Sequence, residues 1–249
     1  MPTSRPRARD VTLRIQCWSG PRNVSTALMY SFAQRNDTTV YDEPLYAHYL
    51  TVTGREHPGA AEVIASQPSD GNVAIEQTVF ADVDTPVYFM KQMAHHLIGL
   101  DRAFLGRTRN VLLVRDPDHM YRSLAVQLPD ATLADSGLEL QVELLDDIIA
   151  AGDQPIVIDA QVIRNTPEPA LRALCDAVGI DFDPAMLHWP AGPRPEDGVW
   201  AKHWYHNLHT TTGFEPYGPV TRELPESMRP ILDQAMPLYE RLGEFALEI

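Results

Sequence analysis

Short apolar runs rich in β-branched residues alternate along this chain with segments of helical spacing. The runs Val11–Cys17, Thr38–Tyr41, Val87–Met90, Asn110–Arg115 and Ile156–Asp159 read as strands. Leu28 and Phe32 stand four apart with Met29 and Ala33 on the same flank, which predicts a helix over Ala27–Arg35. Leu140, Leu144, Leu145 and Ile148 line one helical face, and Leu171, Leu174, Cys175 and Val178 line another. Pro167 near the start of the last segment and Gly179 just past its end are the expected punctuation. Strands that alternate with helices pair in parallel through right-handed crossovers. The expected fold is therefore α/β, with a central, mainly parallel five-stranded sheet flanked by helices. Ligands of such sheets bind beyond the carboxyl ends of the strands.

After the fifth strand the pattern breaks. His188–Pro225 is rich in Pro, Gly, Trp and His and reads as a long structured loop. A proline-interrupted helix follows, carrying Ile231, Leu232, Met236, Tyr239, Leu242 and Phe245. The 249 residues suffice for one full core and contain no repeat or low-complexity tract. Residues 1–10 are polar and basic with no apolar stretch behind them, which predicts a flexible tail and not a secretory leader. No stretch approaches the roughly 18 apolar residues of a membrane span. Cys17 and Cys175 lie far apart in apolar runs, so neither a disulfide nor a cysteine zinc site is expected, and a reducing cytoplasm is.

The formal net charge of −14 argues against a nucleic-acid binder, because phosphate backbones are held by basic surface. Yet Arg102, Arg107, Arg109, Arg115 and Arg122 fall in one short stretch, and Arg14, Arg22 and Arg35 in another. In an acidic chain such clusters point to a small anion held in a cleft.

The first strand runs into Trp18-Ser19-Gly20-Pro21-Arg22-Asn23-Val24-Ser25-Thr26 and then into a helix. Amides at a helix start lack partners and carry the positive end of the dipole, so they suit a phosphate. Ser25 and Thr26 add hydroxyl donors, and Arg22 adds a planar cation. The lysine and second glycine of the ATPase loop G-x-x-x-x-G-K-[ST] are absent, and so is a dinucleotide G-x-G-x-x-G turn. A plain strand-to-helix turn with serine as cap is the competing explanation. The fourth strand ends in Arg115-Asp116-Pro117, and Ser123 follows eight residues after the arginine. Arg115 thus stands where a ligand lies, unless it pairs with Asp116 or Asp118 at the sheet rim.

These two elements resemble those of sulfotransferases that use 3′-phosphoadenosine 5′-phosphosulfate (PAPS), of the P-loop type found in bacteria. In that family a Pro-Lys or Pro-Arg pair precedes small residues and two hydroxyl residues in the 5′-phosphosulfate loop. An arginine at a strand end and a serine eight residues on bind the 3′-phosphate. The resemblance spans roughly Leu13 to Gly213 and implies a single three-layer P-loop domain over residues 1–249. It also implies a cofactor site of Arg22, Asn23, Val24, Ser25, Thr26, Arg115 and Ser123, with no metal required. Lys202 falls in a segment similar in placement to the family's C-terminal loop that closes over PAPS, here within residues 188–225. The chain departs from the family at Val24, where glycine is usual, and at Ala160-Gln161-Val162, where Glu-Asp-Leu often stands. Chains of this type also resemble domains found beside branched-chain aminotransferases, which would imply a partner enzyme.

Sulfuryl transfer needs positioning, electrostatic stabilisation and a base. Glu43, just past the second strand, is the first choice of base, and Lys91, at the third strand's end, is placed to reach sulfuryl oxygens. His95 is the rival base, two residues later than the family's Lys-x-His. His203, His206 and His209 recur every three residues without a familiar zinc spacing, so no metal site is expected. The expected activity is sulfuryl transfer to a hydroxyl or amine of a small-molecule acceptor, in a pocket built from Leu45–Asp84 and Trp189–Tyr217. A small-molecule kinase using the same loop, or a non-catalytic nucleotide-binding module, remains the alternative.

Overall fold

Parallel pairing of short, doubly buried strands organises the computed structural model, which describes residues 12–125, 128–217 and 223–249. The strands among these residues are β1 (Leu13–Ser19), β2 (Thr38–Asp42), β3 (Val87–Met93), β4 (Arg109–Val114) and β5 (Ile156–Asp159). Their order is β2-β3-β1-β4-β5 and every pairing is parallel. Val11, expected to open β1, and the expected tail at residues 1–10 lie outside the described residues. β4 stops one residue before Arg115, which leaves that side chain beyond the sheet's carboxyl edge. β3 runs on past Met90, so Lys91 sits inside a strand, in register with Cys17 of β1 and Asp42 of β2.

Eleven α-helices surround the sheet among the described residues. They are α1 (Ser25–Phe32), α2 (Tyr46–Thr53), α3 (Ala60–Ser66), α4 (Gly71–Ala74), α5 (Pro117–Leu124), α6 (Leu133–Ser136), α7 (Leu138–Ala150), α8 (Ala160–Asn165), α9 (Pro167–Val178), α10 (Ala201–Trp204) and α11 (Arg229–Gly243). α1 starts two residues earlier than its apolar spacing predicts. It ends at Phe32, because the amides of Gln34 and Arg35 turn tighter onto the carbonyls of Ser31 and Phe32. α9 opens with Pro167 and closes on Gly179 at φ +88°, as its punctuation predicts. The proline-interrupted segment is α11, with Pro237 inside it. Among its described residues the Pro-, Trp- and His-rich stretch holds α10 and one short 3-10 turn (Leu208–Thr210), and residues 218–222 of it lie outside the described residues. No helix among the described residues is long and apolar enough to cross a membrane.

Alternation along buried strands divides the core in two. Ile15, Cys17, Val87, Phe89, Val111, Leu113 and Ile158 face the layer that contains α1, α8 and α9. Trp18, Tyr88, Met90, Leu112, Val114 and Val157 face the layer that contains α5, α7 and α11. A third cluster joins α2 and α3 to α10 through Tyr46, Tyr49, Leu50, Val63, Trp200 and Tyr205. Gln141 of α7 bridges the point where β1 and β4 end, donating to the carbonyls of Trp18 at 3.1 Å and Leu113 at 3.0 Å. These amide bonds satisfy buried backbone acceptors beside the loops that form the site.

The rings of Phe32 and Phe89 stack at 4.1 Å and both are fully buried, which pins α1 to β3. Phe89→Ala should therefore destabilise the protein by about 3–5 kcal/mol. Urea unfolding would measure the loss.

Candidate functional site

The loops beyond β1, β2, β3 and β4 open into one cleft of about 1080 Å³. Its two ends differ in charge. At the β1–β4 end, Arg115 Nη1 donates to the carbonyl of Arg22, and Arg22 Nε donates to Ser123 Oγ at 3.1 Å. The arginine–serine pair spaced eight residues apart is thus brought together, with Arg22 leaning onto it from the first loop. Neither Asp116 nor Asp118 competes for Arg115. Asp116 caps α5 by accepting from the amides of Asp118 and His119, and Asp118 pairs with Arg122 at 2.7 Å. Burial lowers the pKa of the Arg22 and Arg115 guanidiniums, and the charge of Arg22 lowers that of Arg115 further. Arg115 Nε is buried without a hydrogen-bond partner among the described residues.

The first loop is braced internally. Asn23 Nδ2 donates to Leu113 O at 2.9 Å, and its Oδ1 accepts from the amide of Val24 at 2.8 Å. The Asn23 side chain and the Val24 amide are therefore engaged within the protein. Ser25 and Thr26 line the cleft at the start of α1, where first-turn amides have no carbonyl one turn back. Gly20 is required by packing: a Cβ there would stand 2.2 Å from the carbonyl oxygen of Ser136 at the end of α6.

At the β2–β3 end, three ionisable groups are buried together. Lys91 is 2% exposed, Asp42 3% and Glu43 7%. Lys91 Nζ donates to Asp42 Oδ1 at 3.0 Å, to Glu43 Oε1, and to the Tyr205 hydroxyl at 2.8 Å. All three ammonium protons are thus directed at protein groups. Tyr205 passes its own proton to Asp42 Oδ2 at 2.8 Å and accepts from Trp200 Nε1 at 3.1 Å. Burial, reinforced by the charge of Asp42, raises the pKa of Glu43 against the pull of Lys91. Burial alone would lower Lys91, but Asp42 and Glu43 overcome it and hold the ammonium well above its ordinary range.

Arg22, at φ +56°, and Glu43, at φ +42°, are the non-glycine residues with positive φ among those described. A left-handed conformation costs an ordinary residue about 1–2 kcal/mol. It persists at Glu43 because the backbone is fixed on both sides: its amide donates to Lys91 O at 2.9 Å and its carbonyl accepts from Gln67 Nε2 at 3.0 Å.

Rings wall the space in front of Glu43. Tyr46 stacks on His96 at 4.9 Å, Tyr49 meets His95 edge-on at 4.8 Å, and His57 accepts from or donates to the Tyr46 hydroxyl at 2.8 Å. His96 Nδ1 stands 4.0 Å from Glu43 Oε2. Burial, with His57 adding repulsion, pulls the pKa of His95 down to about 4. Burial and the neighbouring His95 push His96 well below its ordinary value. Both imidazoles are neutral near neutral pH.

Of the site residues expected from sequence, Arg22, Asn23, Val24, Ser25, Thr26, Glu43, Lys91, His95, Arg115 and Ser123 all line this cleft. Lys202 does not. Its ammonium pairs with Glu62 at 2.5 Å on an exposed surface. The arginine clusters of the sequence also disperse: Arg102 pairs with Glu143 and Asp147, Arg35 with Asp37, and Arg14 donates to the carbonyls of Val79 and Ala81. Sequence reasoning missed Arg164, which lines the cleft from α8, and the hydroxyl of Tyr205. No strand-end or loop motif marks either one. His209 donates to or accepts from Asp197 at 2.9 Å, and no group of His, Cys, Asp or Glu among the described residues could hold a metal ion.

Comparison with known proteins adds three findings. A family model described as "Sulfotransferase domain" matches residues 13–246. Two proteins of Arabidopsis thaliana, branched-chain-amino-acid aminotransferase-like proteins 1 and 2, are 38% and 36% identical over 229 residues. That match takes in 92% of this chain but spans 41% of each relative. These relatives are plant proteins, so they lend no support to the bacterial type expected from the loop resemblance. Two solved structures share the fold. The sulfotransferase domain from the Synechococcus PCC 7002 olefin synthase has a TM-score of 0.53 at 17% identity, covering 94% of this chain and 98% of that one. The sulfotransferase from Alicyclobacillus acidocaldarius has a TM-score of 0.56 at 12% identity, covering 94% and 95%.

The depressed histidines have a consequence for stability. The unfolded chain binds these protons as pH falls through the ordinary value of 6.5, whereas folded His95 binds its proton only near 4. Stability present above pH 6.5 is therefore lost as pH falls toward 4. His95→Gln should make that decline shallower, as read from urea midpoints at about pH 7 and about pH 5.

Proposed function

This chain belongs to the sulfotransferase domain family, and we propose that it moves a sulfuryl group from PAPS to a hydroxyl or amine of a small-molecule acceptor. The observation that carries this reading is the polarity of this cleft. Arginines without a carboxylate partner among the described residues stand at one end, and a buried carboxylate–lysine pair stands at the other. The unpartnered, buried Nε of Arg115 is a donor that an anion would satisfy, so the residues present fit a bisphosphorylated nucleotide.

When bound, PAPS supplies a sulfuryl group already activated on a phosphate. Arg115 and Ser123 hold the 3′-phosphate, and Arg22 joins them because its guanidinium leans onto Ser123. The first-turn amides of α1, with Ser25 and Thr26, hold the 5′ end and stabilise charge that builds on the leaving phosphate. No metal is needed where fixed cations and amides carry that charge.

Glu43 takes the proton of the acceptor hydroxyl. Its Oε1 is fixed by Lys91, which leaves Oε2 for the acceptor, and burial makes the carboxylate a stronger base than one in water. Lys91 acts as a positioning residue, since a contact to sulfuryl oxygens would require it to release Asp42, Glu43 or Tyr205. Neutral His95 and His96, with Tyr46, Tyr49 and Trp200, wall the acceptor space and exclude water.

Two outcomes are expected. In thermal shift, 3′-phosphoadenosine 5′-phosphate should stabilise the protein more than ADP or ATP with magnesium. Arg115→Ala should abolish that preference while leaving the weak response to ADP; an equal loss for every nucleotide would remove the 3′-phosphate assignment. Glu43→Gln should lower turnover by about 10²-fold or more with little change in nucleotide affinity. Unchanged turnover would move the base elsewhere, with His95 the next choice.

A further inference from the structure

We propose that Arg164 is a third nucleotide-binding residue, reading the 3′-phosphate together with Arg115, with which it shares the Tyr217 ring. The inference rests on the PAPS reading above. Arg164 stands in α8, beyond the end of β5, and lines the cleft. Its guanidinium carbon lies 4.1 Å from the centroid of the Tyr217 ring, and that of Arg115 lies 4.4 Å from the same centroid. An aromatic face attracts a cation, so one ring can hold two guanidiniums close while offsetting part of their mutual repulsion. Arg164 and Arg22 both act repulsively on Arg115, which shows that the three charges share one locality.

No carboxylate among the described residues forms an ion pair with Arg22, Arg115 or Arg164, although the charge of Asp116 acts favourably on Arg115. Arg164 Nε donates to the carbonyl of Glu215 and Nη2 donates to that of Pro216 at 3.3 Å; both acceptors are neutral. The nearest strand-end acids are engaged elsewhere. Asp116 caps α5, and Asp159 accepts from the Gln161 amide and from the Tyr239 hydroxyl, each at 2.6 Å. Arg115 and Arg164 on one ring, Arg22 bonded beside Arg115, and one buried Arg115 N–H without a partner among the described residues together suit a dianion. Because Arg164 shares the Tyr217 ring with Arg115, the dianion it meets is the one assigned to Arg115, the 3′-phosphate.

Titration calorimetry on the full chain with 3′-phosphoadenosine 5′-phosphate and with 5′-AMP tests this. R164Q should weaken binding of the bisphosphate by about tenfold or more, while 5′-AMP changes by less than about threefold. R164K keeps the charge but gives up the planar fork, so its affinity for the bisphosphate should fall between the two. If R164Q does not fold, as judged by circular dichroism, the decision passes to R164K, which must lose at least about threefold for the bisphosphate alone. Equal losses for both nucleotides would mean that Arg164 only pins residues 215–217, and would overturn the inference. So would an unchanged bisphosphate affinity. A wild-type protein that binds neither nucleotide would overturn the PAPS reading itself, and with it this one.

Discussion

An ammonium group inside the sheet's carboxyl edge sets the terms for everything around it. Moving one such ion out of water costs several kcal/mol after relaxation, and Lys91 recovers that only through two carboxylates and a phenol in good geometry. The register of β2 against β3 places Asp42 opposite Lys91, and the left-handed turn at Glu43 brings the second carboxylate back over the same nitrogen. The strain of that turn and the burial of three ionisable groups make sense together. Each is tolerable because the others are present, and a well-packed apolar cluster in their place would give a stable sheet with no buried carboxylates.

The opposite end of the cleft follows a different rule. There the guanidiniums are left short of anionic partners in a protein whose formal net charge is −14. An acidic surface around a basic recess excludes polyanions that touch the surface broadly, yet focuses the local field on a small anion that enters. Such a charge distribution favours a small anion over an extended one before any specific contact is made.

The layered architecture was legible because its signals are periodic. Each of the five β-branched runs became a strand within a few residues, and Pro167 and Gly179 bracket α9. The loop Gly20–Thr26 and the Arg115–Ser123 spacing were legible because a strand end followed by a helix start fixes both partners locally. Lys202 was misplaced for the opposite reason. It lies on a segment without periodicity, and its surface partner Glu62 is far away in sequence. The scattered pairing of Arg14, Arg35 and Arg102 shows the same limit: proximity along the chain says little about which acid a long side chain will find. Arg164 and the Tyr205 hydroxyl were invisible because their roles depend on contacts more than 40 residues distant, such as Arg164 with Glu215 and Lys91 with Tyr205.

That last contact carries an implication for how the molecule is made. Asp42, Glu43 and Lys91 are translated more than 100 residues before the phenol and indole that complete their bonding, at positions 205 and 200. Until that late stretch has been synthesised and docked, the nascent sheet holds an acidic pair with one counterion and no hydroxyl bridge. The buried charges of β2 and β3 therefore reach their full bonding only once a distant stretch of the same chain has come home to them.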